Sequence, residues 1–322
     1  MSTHAQTGRP MGLYARLRGG DSWSIGDRLG VAAAWGAGLL LCLIAAAIVL
    51  YMLVRGIQYL RLDEIFSHPV AGTDQSKNGG FLDPLEGTLL LTVIGTAIAA
   101  PVGVGIAVWL TEYGRPAALA RAVESCIEIV AGTPSIVLAI FGLLVFQQGF
   151  FGFLSYEATP GVAFGRSFFT AGMVMSLIAL PLIVGASREA LHSIPRHVRE
   201  ASYALGKDRI STIRRVLLPA SRRGIGTGVA LGMGRIVGDT AIVVILLGAS
   251  LQNDPEGSIP GLSLLQGTGS TLTTYVYNNS PVGEGGSPEK AYAAAFVLLL
   301  IVIGLNFAVD LITRGRGPSW TR

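Results

Sequence analysis

Long apolar stretches alternate with polar segments along the chain, and six of the apolar stretches carry no charge or almost none. They cover residues 29–54, 87–111, 129–148, 167–187, 224–250 and 291–309. A helix of about 20 residues crosses a hydrocarbon core of about 30 Å, so each stretch is long enough to span a membrane. The pattern predicts an all-α integral membrane protein with six transmembrane helices, because buried helices of a soluble protein rarely give six such runs.

The composition agrees with a membrane location. Of the 322 residues, 51% are hydrophobic and only 14% are charged. In a six-span arrangement, 18 of the 24 Lys and Arg residues fall on one side, five fall on the other, and Arg235 lies within the fifth predicted span. Basic residues near helix ends tend to stay in the cytoplasm, so both termini are predicted to be cytoplasmic. Because orientation accounts for the net charge of +4, nothing requires nucleic acid as a partner.

The polar stretch 188–223, here called the basic loop, carries nine of the Lys and Arg residues on the predicted cytoplasmic side. Pro195 can begin a short helix, because proline suits the first helical position. Gly206 permits a turn, and Asp208 can cap a second short helix. Pro219 marks the start of the next membrane segment. The loop is therefore predicted to form a helix, a glycine turn and a second helix.

Such a loop has two physical uses, and its composition does not choose between them. It can lie on anionic lipid, held by its charges and its apolar side chains. It can instead dock as an amphipathic helix into a groove on a soluble partner.

The order of residues within the basic loop resembles a known motif. Glu200, Ala201 and Ser202 are followed by Gly206 and by the sequence VLLP at 216–219. This spacing resembles the Glu-Ala-Ala loop of ABC importer permeases, with Ser202 in place of the second Ala. In that family the loop forms a coupling helix that fits a cleft on an ATP-hydrolysing subunit. The resemblance implies that Glu200, Ala201, Ser202 and Gly206 make this contact here.

Two further stretches extend the resemblance to the rest of the chain. Residues 131–137 (AGTPSIV) and 234–241 (GRIVGDTA) look like signatures of phosphate (Pst) importer permeases. The similarity covers roughly residues 86–314 and is nearest to the A-type branch of that family. One departure is Asp239, which stands where the family has Glu and shortens the reach of the carboxylate.

The resemblance implies a type I ABC importer permease fold in the bacterial cytoplasmic (inner) membrane. Expected partners are a homologous permease subunit (PstC-like), two ATPase subunits (PstB-like), an extracytoplasmic phosphate-binding protein (PstS-like) and membrane lipid. ATP and Mg would be bound by the ATPase subunits, so no cofactor is expected in this chain. We expect four regions: a cytoplasmic segment 1–28, a first transmembrane helix with its extracytoplasmic loop 29–85, a permease core 86–314 with five helices, and a cytoplasmic tail 315–322.

Arg235 and Asp239 are the only ionisable pair in the middle of a predicted span. At four residues apart they share a helix face. Charges at this depth are costly unless they are paired or line a water-filled path, so both residues are candidates for the substrate pathway. The planar guanidinium of Arg235 matches phosphate oxygens. The alternative is an internal ion pair that only fixes helix packing. The stretch 234–241, which resembles the phosphate-importer signature, adds Thr240 to the candidate pathway residues.

A helix break is predicted at Thr133, Pro134 and Ser135, which could turn backbone groups and hydroxyls toward a cavity. The resemblance implies that this break lines the pore, and a tolerated proline kink is the alternative. Gly234 and Gly238 continue a series of glycines spaced by four residues. Small residues at this spacing favour close helix packing.

Other functional classes fit the sequence less well. The four histidines lie on separate segments or lack further ligands, so neither a metal site nor a catalytic site is predicted. The phosphate-binding pattern Gly-x-x-x-x-Gly-Lys-Ser/Thr is missing, so the chain is not expected to hydrolyse ATP itself. The predicted function is a permease subunit that forms, with a homologous subunit, the path for inorganic phosphate. A permease for another oxyanion and an ATP-independent anion channel or carrier are the alternatives.

Overall fold

The computed structural model describes residues 25–70, 79–155, 157–159, 162–248, 253, 262–281 and 287–314. The predicted tail 315–322, most of the predicted segment 1–28 and much of the segment between the fifth and sixth predicted spans lie outside these residues. The chain divides into two compact units, Met1–Tyr51 and Met52–Arg322.

Twelve α-helices and one two-stranded ribbon make up the regular structure of the described residues. In chain order the helices are α1 Ile25–Tyr59, α2 Leu62–Phe66, α3 Leu82–Val108, α4 Ala117–Gly132, α5 Ser135–Phe146, α6 Phe168–His192, α7 Arg196–Ala204, α8 Arg209–Thr212, α9 Leu218–Gly238, α10 Leu262–Gln266, α11 Leu272–Asn279 and α12 Pro288–Thr313. The strands β1 Glu157–Thr159 and β2 Val162–Ala163 pair antiparallel. Short π-helical turns occupy Trp109–Tyr113, Ile213–Leu217 and Val243–Leu247. The fold is therefore almost entirely helical, as predicted.

The described part of the first unit consists of α1 as far as Tyr51. Residues 29–51 are uncharged, and every one of their side chains is exposed. A helix that is hydrophobic on all sides requires an apolar environment, which for an exposed helix is a membrane. Residues 29–51 make up most of the first predicted span.

The core of the second unit is formed by α3, α6 and α9, which glycines bring close together. Gly228 and Gly232 of α9 lie against Ile183 of α6, and Gly172 of α6 lies against Ile94 of α3. Small residues allow the helix backbones to approach closely, as the glycine spacing in α9 predicts. The buried side chains of this core include Leu91, Ala99, Phe168, Met175, Ile183, Ile236 and Leu246.

Four helices among the described residues are long and apolar enough to cross a membrane, namely α1, α3 with its π-helical end, α6 and α12. The pair α4 and α5 adds a fifth candidate if it is counted as one span, although the two helices meet at 109°. The structure thus has the helices of a multi-pass membrane protein, and the count of six spans stays a prediction.

Two of the predicted spans are interrupted. In the third, Thr133 is extended, with a ψ of 130°, because Pro134 disfavours a helical conformation of the residue before it. In the fifth, α9 ends at Gly238, and Asp239 is extended with φ −86° and ψ 125°. Hydropathy predicts where a segment lies, but it does not detect such a break in the backbone.

The packing of α6 against α9 predicts that Gly228→Ala destabilises the protein by about 1–3 kcal/mol. An added Cβ at Gly228 would lie 2.9 Å from the Cβ of Ala186 and 3.2 Å from the carbonyl oxygen of Ile183. Alanine otherwise favours a helix over glycine by about 1 kcal/mol. Thermal unfolding of the purified chain in detergent measures the effect.

The matched control is Gly185→Ala in α6, where an added Cβ has no heavy atom within 4 Å in the described structure. This variant should be as stable as the unmodified protein or slightly more stable. Equal unfolding temperatures for the two variants would contradict the packing described here.

Candidate functional site

The basic loop folds into the helix, turn and helix that its sequence predicts. Pro195 immediately precedes α7, and Gly206 has a φ of +74°, which glycine adopts without strain. Asp208 caps α8 by accepting a hydrogen bond from the backbone N–H of Ser211 at 3.3 Å. α8, the π-helical turn 213–217 and α9 follow one another without a gap. The loop therefore leads directly into the helical core.

A buried ion pair attaches the basic loop to the end of α3. The Nε and Nη2 atoms of Arg199 both donate to Glu112 Oε1 at 3.0 Å. The guanidinium also donates to the carbonyl oxygens of Ile194 at 2.8 Å and Leu191 at 3.0 Å. The side chain of Glu112 is only 7% exposed and that of Arg199 only 18% exposed. The Arg199 guanidinium thus joins the π-helical turn after α3, the end of α6 and α7.

Two further contacts fix the conformation of the basic loop. The guanidinium of Arg209 lies over the ring of Tyr113, with 5.2 Å between its Cζ and the ring centroid. The hydroxyl groups of Ser202 and Thr212 are buried and lie 2.8 Å apart, so α7 and α8 are hydrogen-bonded to each other. This bond gives Ser202 a role that the family's alanine could not have.

The opposite surface of the basic loop is open. Of the four residues that the resemblance assigns to ATPase contact, Glu200, Ala201 and Gly206 are exposed and Ser202 is buried. The exposed tip also carries the apolar side chains of Tyr203, Leu205 and Ile210. Apolar groups rimmed by polar ones are typical of a surface that another protein or a membrane covers.

Arg235 and Asp239 are neighbours in space, but they do not lie on one continuous helix. Because α9 ends at Gly238, Asp239 is the first residue of the break. Its Oδ2 lies 3.8 Å from Arg235 Nη2, and its Oδ1 accepts a hydrogen bond from the backbone N–H of Ile242 at 3.0 Å. Asp239 therefore caps the helical turns that follow the break, in addition to facing Arg235. A carboxylate that caps the backbone N–H three residues later is a local sequence signal. It was not recognised at Asp239 because the residues around it are apolar and were interpreted as one continuous span.

The two charged side chains differ strongly in exposure. Asp239 is 4% exposed at its side chain, whereas Arg235 is 48% exposed. Arg235 belongs to a face of α9 on which Arg223, Thr227, Leu231 and Gly238 are also exposed. These residues recur every three or four positions, so they form one stripe along the helix. We call this stripe the open face of α9.

The remaining predicted pathway residues lie at the two helix breaks. The hydroxyl of Thr133 donates to the carbonyl oxygen of Ile129 at 2.7 Å, Pro134 precedes α5, and Ser135 is its first residue. Thr240 directly follows Asp239 and is partly buried. All four residues thus lie at breaks in membrane helices. At such breaks, polar backbone and hydroxyl groups become accessible.

Gly234 and Gly238 do not pack like the earlier glycines of α9. An added Cβ at either position has no heavy atom within 4 Å in the described part of the chain. The packing predicted from the glycine spacing is therefore made by the earlier glycines, on the face toward α6. Gly234 and Gly238 therefore face open space in the described part of the chain.

The ion pair of Glu112 with Arg199 was missed by the sequence analysis. The two residues are 87 positions apart, so no local pattern connects them. A second pair, Glu124 Oε1 with Arg188 Nη1 at 2.6 Å, joins α4 to α6 and is much more exposed. Glu124 and Glu112 thus differ mainly in burial.

The membrane-spanning helices, the broken segments and the projecting basic loop are those of a transporter permease subunit. Solved ABC transporters share this fold. A bacterial alginate ABC transporter aligns with a TM-score of 0.59 at 14% identity, over 94% of this chain and 97% of that one. The MetNI methionine ABC transporter aligns with a TM-score of 0.52 at 21% identity, over 82% of this chain and 96% of that one. At such identities the likeness shows the fold alone.

The sequence defines the family. Residues 99–318 match the model of the binding-protein-dependent transport system inner membrane component, and the chain belongs to that family. It is a multi-pass protein of the bacterial inner membrane and a transport subunit.

Curated relatives come from both branches of one transport system. The phosphate transport system permease protein PstA 1 of Mycobacterium tuberculosis is 33% identical over 73% of this chain and 70% of its own length. The protein named PstC 2 from the same organism is 30% identical over 90% of this chain and 93% of its own length. PstC of Xylella fastidiosa is 31% identical over 86% of this chain and 85% of its own length. The similarity identifies a Pst-type permease and does not distinguish the A type from the C type.

The burial of the Arg199 ion pair predicts that Glu112→Ala destabilises the protein by about 3–5 kcal/mol, because the guanidinium is left buried without its carboxylate. Chemical unfolding of the purified chain in detergent measures the loss.

Glu124→Ala is the matched control, since Glu124 also pairs with an arginine but is one-third exposed. Its removal should cost only about 0–1 kcal/mol. Similar losses for the two variants would show that burial does not set the strength of the Glu112 pair.

Proposed function

We propose that this chain is the transmembrane permease subunit of an ATP-driven importer, and that it forms the path for inorganic phosphate with a homologous subunit. The observation that carries the proposal is the basic loop, which combines the Glu-Ala-Ala spacing with an exposed apolar tip and a buried attachment to the helical core. The names of the curated relatives support phosphate as the cargo.

The open face of α9 is the proposed wall of the path. Arg235 is half exposed within this chain alone and lies beside a break in the helix, so its guanidinium is accessible from that face. A guanidinium donates two parallel hydrogen bonds to neighbouring phosphate oxygens. A homologous subunit facing the same stripe would enclose the path. Gly234 and Gly238 leave room there for the cargo or for the facing helix.

Asp239 and the hydroxyl groups complete the proposed path. Asp239 holds the break open by capping the turns after it, and it balances the charge of Arg235 when the path is empty. Thr240 on this break, and Thr133 and Ser135 on the break between α4 and α5, supply hydroxyl groups. Broken membrane helices are a common way of presenting such polar groups to a transported ion.

The energy is proposed to come from two partner ATPase subunits that bind ATP and Mg. Each ATPase subunit would bind one coupling loop in its cleft. In this chain the contact would be made by the exposed tip with Glu200, Ala201 and Gly206. Movement of the loop would pass through Arg199 and Glu112 to α3, and from there to α6 and α9 through their glycine contacts. An extracytoplasmic phosphate-binding protein would deliver the cargo to the opposite side. Six crossings with both termini cytoplasmic belong to the same proposal.

The test is phosphate uptake by proteoliposomes that contain the complete complex, its binding protein and ATP. Arg235→Lys keeps the charge but removes the planar pair of donors, so we expect uptake to fall by about tenfold or more, since this corresponds to the loss of about one charge-assisted hydrogen bond.

Arg121→Lys is the matched control, because Arg121 is an exposed arginine of α4 and lies outside the open face of α9. Its uptake should stay near that of the unmodified complex. Unchanged uptake by Arg235→Lys would contradict the proposed contact with phosphate. Uptake by the purified chain without ATPase subunits would contradict the proposed importer and favour a channel or carrier.

A further inference from the structure

A polar cavity of about 460 Å³ lies at the end of the helical core opposite the basic loop. Its lining includes Tyr59, Arg61, Glu64, Ser287, Glu289 and Lys290. The location follows from the course of α12, which begins at the cavity and ends at Thr313 beside Gly226, near the start of α9. The volume falls within the range of small-molecule sites, about 300–1,000 Å³.

Two polar atoms in the lining of this cavity are buried and unsatisfied. Glu64 Oε2 and Ser287 Oγ have no hydrogen-bond partner among the described residues. Ser287 is only 3% exposed, and although it directly precedes α12, its side chain does not cap that helix. A buried polar atom without a partner is destabilising, so each of these atoms is a place where a ligand can bind. One is an acceptor, and the other is a hydroxyl that can donate.

The charges around the cavity are mixed and balanced. Arg61 and Lys290 are basic, and Glu64 and Glu289 are acidic. Lys290 is held at the wall by a hydrogen bond from Nζ to the carbonyl oxygen of Gly79 at 2.8 Å. Among the described residues, a lining with two charges of each sign favours a ligand that itself carries both signs over a free anion or a free cation.

The positions of the charges indicate how such a ligand would lie. The phosphate of such a ligand would lie at Ser287 and the first turn of α12, because the N–H groups that follow Pro288 and the helix dipole attract phosphate. Its cationic group would lie at Glu64. The pKa of the Glu64 carboxyl is raised above its usual value, because burial raises it more than the charges of Lys290 and Arg61 lower it. An ammonium group that donates to Oε2 would stabilise the ionised carboxylate.

The location at the ends of two membrane helices identifies the source of the ligand. α1 ends at Tyr59, α12 begins at Pro288, and both expose apolar side chains along their membrane stretches, such as Ile57 and Leu300. A ligand whose phosphate and amine lie at the membrane boundary and whose remainder is apolar is a phospholipid. Tyrosine is also common at this level of a membrane protein.

We propose that the polar cavity binds the headgroup of a zwitterionic aminophospholipid, with its phosphate at Ser287 and α12 and its primary ammonium at Glu64. The unsatisfied Glu64 oxygen can accept from a hydrogen-bond donor. The primary ammonium of phosphatidylethanolamine is such a donor, whereas the quaternary ammonium of phosphatidylcholine carries no N–H. The site is independent of the proposed transport path.

The test is native mass spectrometry of the full-length chain in detergent with equal amounts of phosphatidylethanolamine, phosphatidylcholine and phosphatidylglycerol. We expect about tenfold preferential retention of phosphatidylethanolamine over phosphatidylcholine, in keeping with a charge-assisted hydrogen bond. Glu64→Gln, which is close in shape, should reduce the preference to near one. Ser287→Ala should weaken retention of both zwitterionic lipids.

Asp63→Asn is the matched control, because Asp63 is exposed on the same helix and does not line the cavity. It should keep the full preference, and equal unfolding temperatures without lipid would show that all three variants are folded. Equal retention of the two zwitterionic lipids by the unmodified chain would overturn the proposal. So would an equal loss in Asp63→Asn. Displacement of the lipid by millimolar inorganic phosphate would assign the phosphate subsite to the free ion instead.

Discussion

The basic loop is covalently continuous with α6 and α9, and the ion pair of Arg199 with Glu112 attaches it to the end of α3 as well. A buried pair stabilises a structure only when its geometry is good and its remaining donors are satisfied. Arg199 meets this requirement by donating to one carboxylate oxygen and to two backbone carbonyl oxygens. The guanidinium thus fixes the start of the loop relative to α3 and α6. The contact of Arg209 with Tyr113 adds a second attachment on the other side of Gly206.

The core to which the loop is attached is held together by close packing more than by directional bonds. Glycines on α6 and α9 let three helices approach until side chains such as Ile183 fill the space between them. Closely packed interiors transmit displacement because they have little free volume. The helix breaks lie beside this core, at Thr133 and at Asp239. One rigid bundle therefore carries both the attachment of the loop and the residues proposed to meet the cargo.

The sequence predicts best those features that depend on neighbouring residues. Pro195, Gly206 and Asp208 specify the basic loop because caps and turns are local, and the apolar stretches locate the membrane helices. Contacts between distant positions leave no such pattern, which is why Glu112 received no role. The break at Asp239 was concealed for a different reason: hydropathy averages over a window, so one extended residue inside an apolar stretch leaves the average almost unchanged.

We propose that a nucleotide-driven ATPase subunit binds the basic loop on the cytoplasmic side. Cysteine cross-linking at the exposed tip tests it most directly, using Leu205→Cys after Cys42→Ser and Cys126→Ser have removed the native thiols. In the intact complex, the account predicts an adduct with the ATPase subunit that forms only from the cytoplasmic side and stops phosphate uptake. Labelling of this cysteine by an impermeant reagent added outside the cell would contradict the account.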